Sequence, residues 1–125
     1  MKKLTPKIKL WFTTEDSEGF FGEGKCRLLK QIQSKGSLSA AAEDLNISYR
    51  KAWGDLKKAE QGLGVKLVEK TRGGKGGGQT FLTEEGEMLL KDYTDFKKKV
   101  KDFVNNIPCP ERTTFDSPAQ RAGDE

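Results

Sequence analysis

Histidine is absent from this 125-residue chain, and cysteine, tryptophan, tyrosine and methionine each occur only twice. Without histidine the chain lacks the commonest general base and the commonest metal ligand. The two cysteines, Cys26 and Cys109, lie far apart and match no metal-ligand spacing, so we expect two free thiols in a reducing cytoplasm. These absences predict a binding protein that is not an enzyme and that uses no metal or other cofactor.

Long apolar runs are also missing. The basic start Met1–Lys3 is not followed by the apolar stretch of a secretory signal peptide. No segment approaches the roughly 20 apolar residues that span a bilayer, so we expect no membrane contact. Hydrophobic and charged residues each make up 34% of the chain. This composition suffices for one small core and predicts a single domain, residues 1–104.

Positive charge is concentrated in one part of the chain. The net charge is +4, but residues 49–78 hold eight Lys or Arg against three Asp or Glu. Residues 105–125 hold two Lys or Arg against four Asp or Glu. After Ile107 the prolines and the polar composition predict a disordered tail. This uneven distribution is typical of a protein that binds a polyanion with one surface.

The most informative segment is Thr71–Gly78, in which five glycines surround two cations. The flanking runs, Val65–Lys70 and Gln79–Leu82, have the apolar content and the turn boundaries of two hairpin strands. Glycine lets a backbone approach another surface closely, and the cations favour phosphate. The segment therefore predicts a basic hairpin wing. Its residues expected to contact DNA are Arg72, Gly74, Lys75 and Gly76.

A phosphate-binding P-loop is a rival interpretation of the same glycines. Residues 73–80 run Gly-x-x-x-x-Gly-Gln-Thr, with Gln79 where the motif needs the lysine that meets the β- and γ-phosphates. The motif also requires a helix directly after the loop, whereas Thr80–Leu82 has the pattern of a strand. Oxyanion sensing by the glycine amides and Arg72 is another alternative, but an exposed hairpin preorganises such a site poorly. We therefore expect no small-molecule effector site.

The N-terminal half predicts strands and then helices. Alternation of apolar residues indicates a half-buried strand at Lys7–Phe12, with Phe20 and Phe21 pairing back against it. A helix follows from about residue 25 to residue 34, and Gly36 is expected just past its end. Ser39 is predicted to cap a second helix, which Asn46 ends in the left-handed conformation.

A third helix is predicted from about Tyr49 to Gln61, capped by Ser48 and ended by Gly62 or Gly64. Its inner side carries small and branched residues. Trp53 lies beside them and is expected to pack in the core in preference to contacting bases. A short helix, a tight turn and a second helix with a basic outer face form a helix-turn-helix. The residues expected to contact DNA from this motif are Ser39, Ser48, Tyr49, Arg50, Lys51, Gly54, Lys57 and Lys58.

These residues are expected to divide into readers and positioners. Arg50 and Lys51 should reach base edges, because Arg or Lys to guanine is the commonest specific contact. Tyr49 should meet a thymine methyl or hold a phosphate, and Lys57 and Lys58 should contact phosphates. Gly54 would permit close approach to DNA or is merely tolerated. A solvated helix face is the alternative for the outer residues, and plain capping is the alternative for Ser39.

The last predicted helix begins after Thr83 and carries an apolar seam with alternating steps of four and three residues. Packing onto the protein's own core is one explanation. Because the seam extends beyond what a small winged domain can cover, we expect it to form a homodimer. The predicted dimerisation residues are Leu89, Tyr93, Phe96, Val100 and Phe103.

The run from Gly36 to Ser48 resembles the helix-turn-helix of LysR-type and molybdate-responsive (ModE-type) regulators. Three further pieces resemble the second group: Ser48–Trp53, the basic glycine-rich segment, and Phe21–Gly24. The resemblance covers roughly residues 7–98 and implies a transcriptional regulator that binds specific double-stranded DNA. ModE-type regulators continue into molybdate-binding domains, for which about twenty residues after the last helix are too few, so we expect this chain to lack one.

The sequence thus predicts a mainly α fold with a small β-hairpin wing, a winged helix-turn-helix followed by a long C-terminal dimerisation helix. A fold of this kind does not by itself establish DNA binding, because winged helices also serve protein–protein contact. That alternative is less favoured here, since a protein-docking surface would be more apolar than the basic helix and wing.

Overall fold

The computed structural model describes residues 2–16, 20–71, 78–109 and 111–112. Its elements in chain order are β1 (Lys2–Lys3), α1 (Glu23–Lys35), α2 (Leu38–Asp44), α3 (Tyr49–Leu63), β2 (Val68–Lys70), β3 (Thr80–Leu82), α4 (Glu84–Asn105) and β4 (Glu111–Arg112). Strands β2 and β3 form an antiparallel hairpin, and β1 pairs with β4. The mainly helical fold with a hairpin wing and a long last helix is confirmed.

One hydrophobic core lies between the helices and the base of the hairpin. Helix α1 contributes Leu28, Leu29 and Ile32, the side that the sequence predicts. The small residues of α2 allow close packing, since Ala41 and Ala42 are fully or almost fully buried. The other core residues come from all four helices, from the hairpin with the residue before it, and from the segment before α1: Phe20, Phe21, Cys26, Leu38, Ala52, Leu56, Ala59, Leu67, Val68, Leu82, Leu90 and Tyr93.

Helix boundaries follow local capping chemistry, with one correction. The Ser37 side chain accepts the N–H of Ala40 and caps α2, so the prediction that Ser39 is the cap is wrong by two residues. Ser39 instead lies inside the helix with an exposed side chain. Asn46 adopts the predicted left-handed conformation, with φ 58°, in the turn between α2 and α3. Gly64 ends α3 in the left-handed conformation, with φ 74°. Glycine suits this position because a residue with a Cβ would be strained there.

The predicted strand at residues 7–12 is wrong except at its last residue. Of these residues only Phe12 forms a strand-like pair, a single antiparallel bridge with Phe21. The Phe12 N–H donates to the carbonyl oxygen of Phe21 over 2.6 Å. Gly22 then leads directly into α1, so no further residues are available for a ladder. Ile8 and Trp11 remain 43% and 54% exposed, and the alternation therefore does not describe a sheet face.

Helix α4 turns one edge of the expected seam inward. The Tyr93 ring is fully buried and makes edge-to-face contacts with Phe12 and Phe21, both at 5.2 Å between centroids. Its hydroxyl donates to the carbonyl oxygen of Leu10 over 2.7 Å. Leu89 is half-buried against the same core. Intrachain packing therefore occupies part of the seam, as the first explanation above supposes.

The end of the chain contains a pairing that the sequence does not predict. Helix α4 ends at Asn105, and the backbone of Glu111–Arg112 pairs with that of Lys2–Lys3. Two-residue strands carry no apolar alternation from which they could be recognised. The remaining residues of the expected disordered tail, 113–125, lie outside the described part of the chain.

Candidate nucleic-acid interface

Helix α3 presents its polar residues on one side because its apolar residues face the core. Ala52, Leu56 and Ala59 are buried, as predicted. The Ser48 side chain accepts the N–H of Lys51 over 3.0 Å and fixes the first turn. Ser48 is thus confirmed as the cap, and its hydroxyl is already engaged. The exposed outer residues are Tyr49, Arg50, Lys51, Trp53 and Lys58.

The cations of this face are not equally available. Arg50 and Lys58 form no ion pair with any residue in the described ranges. The Lys51 ammonium group lies 3.3 Å from the Asp55 carboxylate, which compensates part of its charge. Lys57 is half-buried and lies 3.5 Å from Glu60. The structure therefore makes Arg50 and Lys58 the freest cations of the helix.

Gly54 lies in an open position on α3. A Cβ added there would meet no neighbouring atom within 4 Å. No packing within the described chain therefore requires a glycine, although glycine weakens a helix interior. Both interpretations of this residue, close approach to DNA and simple tolerance, remain predictions.

The hairpin base is attached to α3 by the Glu60 carboxylate. One of its oxygens accepts the N–H of Leu67 over 2.8 Å and that of Val68 over 3.4 Å. The ladder begins at Val68, so the strand is shorter than the predicted run Val65–Lys70. The attachment gives the hairpin a defined position beside α3.

Two further attachments hold the hairpin from its other sides. The Thr83 hydroxyl donates to the carbonyl oxygen of Lys66 over 2.7 Å, while the same oxygen caps α4 by accepting the N–H of Gly86. The Thr80 N–H donates to the carbonyl oxygen of Gly36 over 2.9 Å, at the end of α1. The hairpin base is thus fixed to α1, α3 and α4 together.

The predicted wing contacts Arg72, Gly74, Lys75 and Gly76 lie outside the described residues. The ends of this loop are described. The Thr71 N–H donates to the carbonyl oxygen of Gln79 over 2.8 Å, and the Gln79 N–H donates to the Thr71 hydroxyl over 3.1 Å. The loop therefore starts and finishes at one paired position, and its contacts with DNA remain predictions.

A cluster of side chains joins α3 to the hairpin, and two of its members, Trp53 and Lys70, are not among the residues that the sequence predicts for the site. The Lys70 ammonium group lies 4.6 Å from the Trp53 ring centroid and 5.2 Å from that of Tyr49, and it donates to the Tyr49 hydroxyl. The Lys57 ammonium group also lies 4.6 Å from the Trp53 ring. Trp53 is 36% exposed, so the expectation that it packs in the core is wrong.

The available sequence signals explain why this cluster was missed. Trp53 follows the buried Ala52 and lies at the edge of the apolar side of α3. The helical periodicity of apolar residues alone therefore predicts that Trp53 is in the core. Lys70 belongs to a predicted strand and is separated from Tyr49 by 21 positions. The useful signal would have been the spacing of four between Tyr49 and Trp53, which places both aromatic rings on one face.

Ser39 also approaches this cluster. It lines a depression of about 270 Å³ between the start of α2 and the hairpin, together with Tyr49 and Lys70. An exposed hydroxyl beside an ammonium group is suited to a phosphate oxygen. The structure thus keeps Ser39 near the other predicted contacts, although it is not the cap.

The outer side of α4 carries large exposed apolar residues. Phe96 is 50% exposed and Phe103 is 69% exposed, while Val100 is half-buried between them along the helix. Tyr93 is fully buried and cannot contribute side-chain surface to a partner in this conformation. The surface available for dimerisation is therefore the second half of the predicted seam.

Other chemistries find little support in the described part of the chain. In the described ranges no group of three or more His, Cys, Asp or Glu could hold a metal ion. The Cys26 thiol is buried, and this burial raises its pKa above the usual value, which favours the unreactive neutral form. None of the helices in residues 20–71 and 78–109 combines the length and apolar character needed to cross a membrane.

Comparisons with known proteins agree with this geometry. A family model described as bacterial regulatory helix-turn-helix protein, lysR family, matches residues 24–87, from α1 into the first turn of α4. The transcriptional regulator ModE of Haemophilus influenzae is 36% identical over 98 residues, which are 78% of this chain and 38% of that protein. The DNA-binding transcriptional dual regulator ModE of Escherichia coli K12 is 44% identical over 66 residues, 53% of this chain and 25% of that protein.

A solved structure shows the same fold. The crystal structure of the CbnR_DBD-DNA complex superposes with a TM-score of 0.53, covering 82% of this chain and 97% of that one, at 20% identity. The present chain spans 38% and 25% of the length of the two regulators above. The match therefore concerns the helix-turn-helix and its surroundings.

Proposed function

Because this chain belongs to the bacterial regulatory helix-turn-helix proteins of the lysR family, we propose that it binds specific sequences of double-stranded DNA and regulates transcription. One observation carries the proposal. The exposed cationic side of α3 is held at a fixed position beside the basic hairpin by the Glu60 carboxylate. Two relatives named ModE are a transcriptional regulator and a DNA-binding transcriptional dual regulator, which supports the same conclusion.

Helix α3 would enter the major groove with its first turn leading, as recognition helices do. Arg50, exposed and without an ion pair among the described residues, would meet base edges, preferably guanine. Lys51 would act more weakly there, because Asp55 compensates part of its charge. Lys58 and the hairpin residues Arg72 and Lys75 would contact phosphates, which position the protein without reading sequence. Such DNA contact would place the protein's action in the cytoplasm.

The same proposal includes a homodimer formed through the outer side of α4. Phe96 and Phe103 are large exposed apolar residues on this helix, and burying them against a second copy would remove that surface from water. A two-fold dimer would present two recognition helices to half-sites about one helical turn apart. The operator should therefore be nearly palindromic, and the second half-site would strengthen binding by raising the effective concentration.

The test is selection of bound fragments from random duplex DNA, followed by fluorescence anisotropy on the selected duplex. We expect a defined sequence and a steep loss of affinity with salt, with a log–log slope of roughly −0.9 per neutralised phosphate. A scrambled duplex of equal length is the control and should bind more weakly. The absence of any enriched sequence, or a flat salt response, would refute sequence-specific DNA binding.

A protein-docking role for the same face has less support. Its exposed residues include Arg50, Lys51 and Lys58, whereas the core of a protein–protein interface is depleted in charge. The exposed aromatic rings of this face, Tyr49 and Trp53, both contact the Lys70 ammonium group and so form no purely apolar patch. Two results together would indicate that a protein docks on α3: no duplex is enriched in the DNA selection, and substitutions on α3 abolish binding to a protein partner.

A further inference from the structure

Two exposed aromatic rings interrupt the cationic side of α3. Tyr49 is 47% exposed and Trp53 is 36% exposed. Because they are four residues apart on a helix, their side chains lie on the same face. They form an apolar strip beside Arg50, within the surface proposed to enter the major groove. The chemistry of this strip differs from that of the cations around it.

Lys70 holds both rings in place from the hairpin. Its ammonium group lies over the Trp53 ring at 4.6 Å and over the Tyr49 ring at 5.2 Å, and it donates to the Tyr49 hydroxyl. Cation–π contacts of this length are attractive. Since Lys70 belongs to β2 and the rings belong to α3, the contacts also connect the two DNA-facing elements. The rings are therefore preorganised rather than free to turn.

The contacts also limit how the rings can meet a base. The ammonium groups of Lys57 and Lys70 both lie over the Trp53 ring. Stacking of an unpaired base requires a free ring face, whereas contact with a small apolar group requires only an edge. The surrounding cations favour a polyanion. Duplex DNA with an apolar group on a base edge satisfies both conditions.

Thymine offers such a group, because its 5-methyl is the apolar feature that base pairs display in the major groove. We propose that Tyr49 and Trp53 read thymine methyl groups in the bound duplex, and that Lys70 is the positioning residue for both rings. This inference rests on the DNA binding proposed above and names the bases that the aromatic strip selects. The Tyr49 hydroxyl already accepts a hydrogen bond from Lys70, so it is the ring of Tyr49 that would contact the methyl group.

The experiment replaces single thymidines of the selected duplex with deoxyuridine, which removes one methyl group and leaves base pairing unchanged. Anisotropy titrations at fixed salt then measure the affinity of wild type for each duplex. Burial of one methyl group corresponds to about fourfold in affinity. We expect a loss of that size at one or two thymine positions in each half-site and no loss at the others.

The variants assign those positions to residues. In Trp53→Ala and in Tyr49→Ala, the duplexes with and without the methyl group should bind equally at one position each. Trp53→Phe keeps a smaller ring and should keep part of the preference. Lys58→Ala is the matched control on the same helix, and it should weaken binding to every duplex. It should still lose as much affinity as wild type when a thymidine is replaced by deoxyuridine, a loss called here the uridine penalty. Melting temperatures establish that each variant is folded.

Lys70 is tested by Lys70→Met and Lys70→Arg. Loss of the positioning charge in Lys70→Met should reduce the uridine penalty at both positions without lowering the melting temperature of the protein. Lys70→Arg retains a cation over the rings and should retain the penalty. A merely structural lysine would change the melting temperature and leave the methyl preference unchanged.

The outcomes separate this inference from the function on which it rests. Specific duplex binding without a uridine penalty, or with a penalty that persists in Trp53→Ala and Tyr49→Ala, would overturn the methyl contact alone. Tighter binding of single-stranded oligothymidylate than of the duplex would indicate base stacking and would also overturn it. Failure of wild type to select any duplex would remove the proposed function and this inference with it.

Discussion

The backbone of Gly86 lies so close to the carbonyl oxygen of Leu67 that a Cβ at Gly86 would be only 2.2 Å from it. The contact joins the first turn of α4 to the residue before β2. Leu67 is held by the Glu60 carboxylate at its N–H and by the Thr83 N–H, 3.0 Å away, at its carbonyl oxygen. Gly86 is held by its own N–H, which donates to the Thr83 hydroxyl. This crossing of two backbones fixes the hairpin on the helices.

Gly86→Ala should therefore destabilise the fold, since an added methyl group would force the backbones apart. We expect a loss of about 1–3 kcal/mol in the free energy of unfolding, measured by urea denaturation. Gly54→Ala is the matched control, because a Cβ there meets nothing within 4 Å, and it should gain about 1 kcal/mol of helix stability. Equal stability of Gly86→Ala and wild type would contradict the close contact.

The Glu60 carboxylate should contribute to stability, because its side chain is only 11% exposed and accepts two backbone N–H groups. In Glu60→Ala the Leu67 N–H would lose its acceptor, and an unsatisfied, partly buried donor costs about 1–3 kcal/mol. Glu69→Ala, at an exposed position of β2, should change the unfolding free energy by less than about 0.5 kcal/mol. If both variants cost the same, the attachment of the hairpin by Glu60 is not significant.

Asp55 is expected to weaken DNA binding in the wild type. Its carboxylate compensates Lys51 and lies on a helix that would face phosphates. Asp55→Asn should increase the affinity for duplex DNA by on the order of fivefold at low salt, with a smaller gain at high salt because the interaction is screened. Asp92→Asn, at an exposed position of α4, removes the same charge and should change the affinity much less. Unchanged binding by Asp55→Asn would place Lys51 away from DNA.

Arg50 and Lys75 should behave differently if one reads bases and the other positions the protein. Arg50→Ala should weaken the preferred site by about 1–3 kcal/mol and relax base preference there. Lys75→Ala should weaken all sequences equally and lower the salt slope by about one. Anisotropy on the selected and scrambled duplexes distinguishes these results. Identical behaviour of the two variants would refute the division.

The two halves of the α4 seam should separate into a core role and an assembly role. Tyr93→Phe removes the hydroxyl that donates to Leu10, so unfolding should become easier by about 1 kcal/mol while the sedimentation coefficient stays that of a dimer. Phe103→Asp places a charge at a 69% exposed position and should yield monomers. A Phe103→Asp protein that still sediments as a dimer would exclude this side of α4 as the interface.

Acid should weaken the contact between α1 and α4. The hydrogen bond from Lys97 holds the pKa of Glu23 below its ordinary value of 4.5 in the folded state, with smaller contributions from the charges of Lys97 and Arg27. A lowered folded-state pKa stabilises the protein above the unfolded pKa, and this contribution is lost as the pH falls through the folded value. Wild type should exceed Glu23→Gln in stability at pH 7, and urea titrations should show the difference shrinking as the pH falls below the unfolded value of 4.5. A constant difference would argue against the ion pair.

The sequence predicted the helix-turn-helix because its signals are local. Ser48 caps α3, and Asn46 and Gly64 end helices by their own backbone preference, so a few adjacent residues decide each boundary. The long-range contacts were not predictable in this way. The seam spacing is the same whether Tyr93 faces a partner or Leu10, and only the arrival of the N-terminal segment, 83 positions away, decides between them. Lys70 likewise joins the site only after the hairpin folds back onto α3.

The three attachments of the hairpin have a consequence for how such a binding surface can be altered. Gly36, Glu60 and Thr83 all bind the base of the hairpin, at residues 66–68 where β2 begins and at residue 80 where β3 begins. All three attachments lie on the helix side of the hydrogen-bonded pair Thr71 and Gln79. Insertions, deletions or grafted sequences between Thr71 and Gly78 would therefore leave each of these bonds in place, and doubling the length of chain to be closed costs only about 0.6 kcal/mol. The scaffold can accept new loops while its helices stay the same.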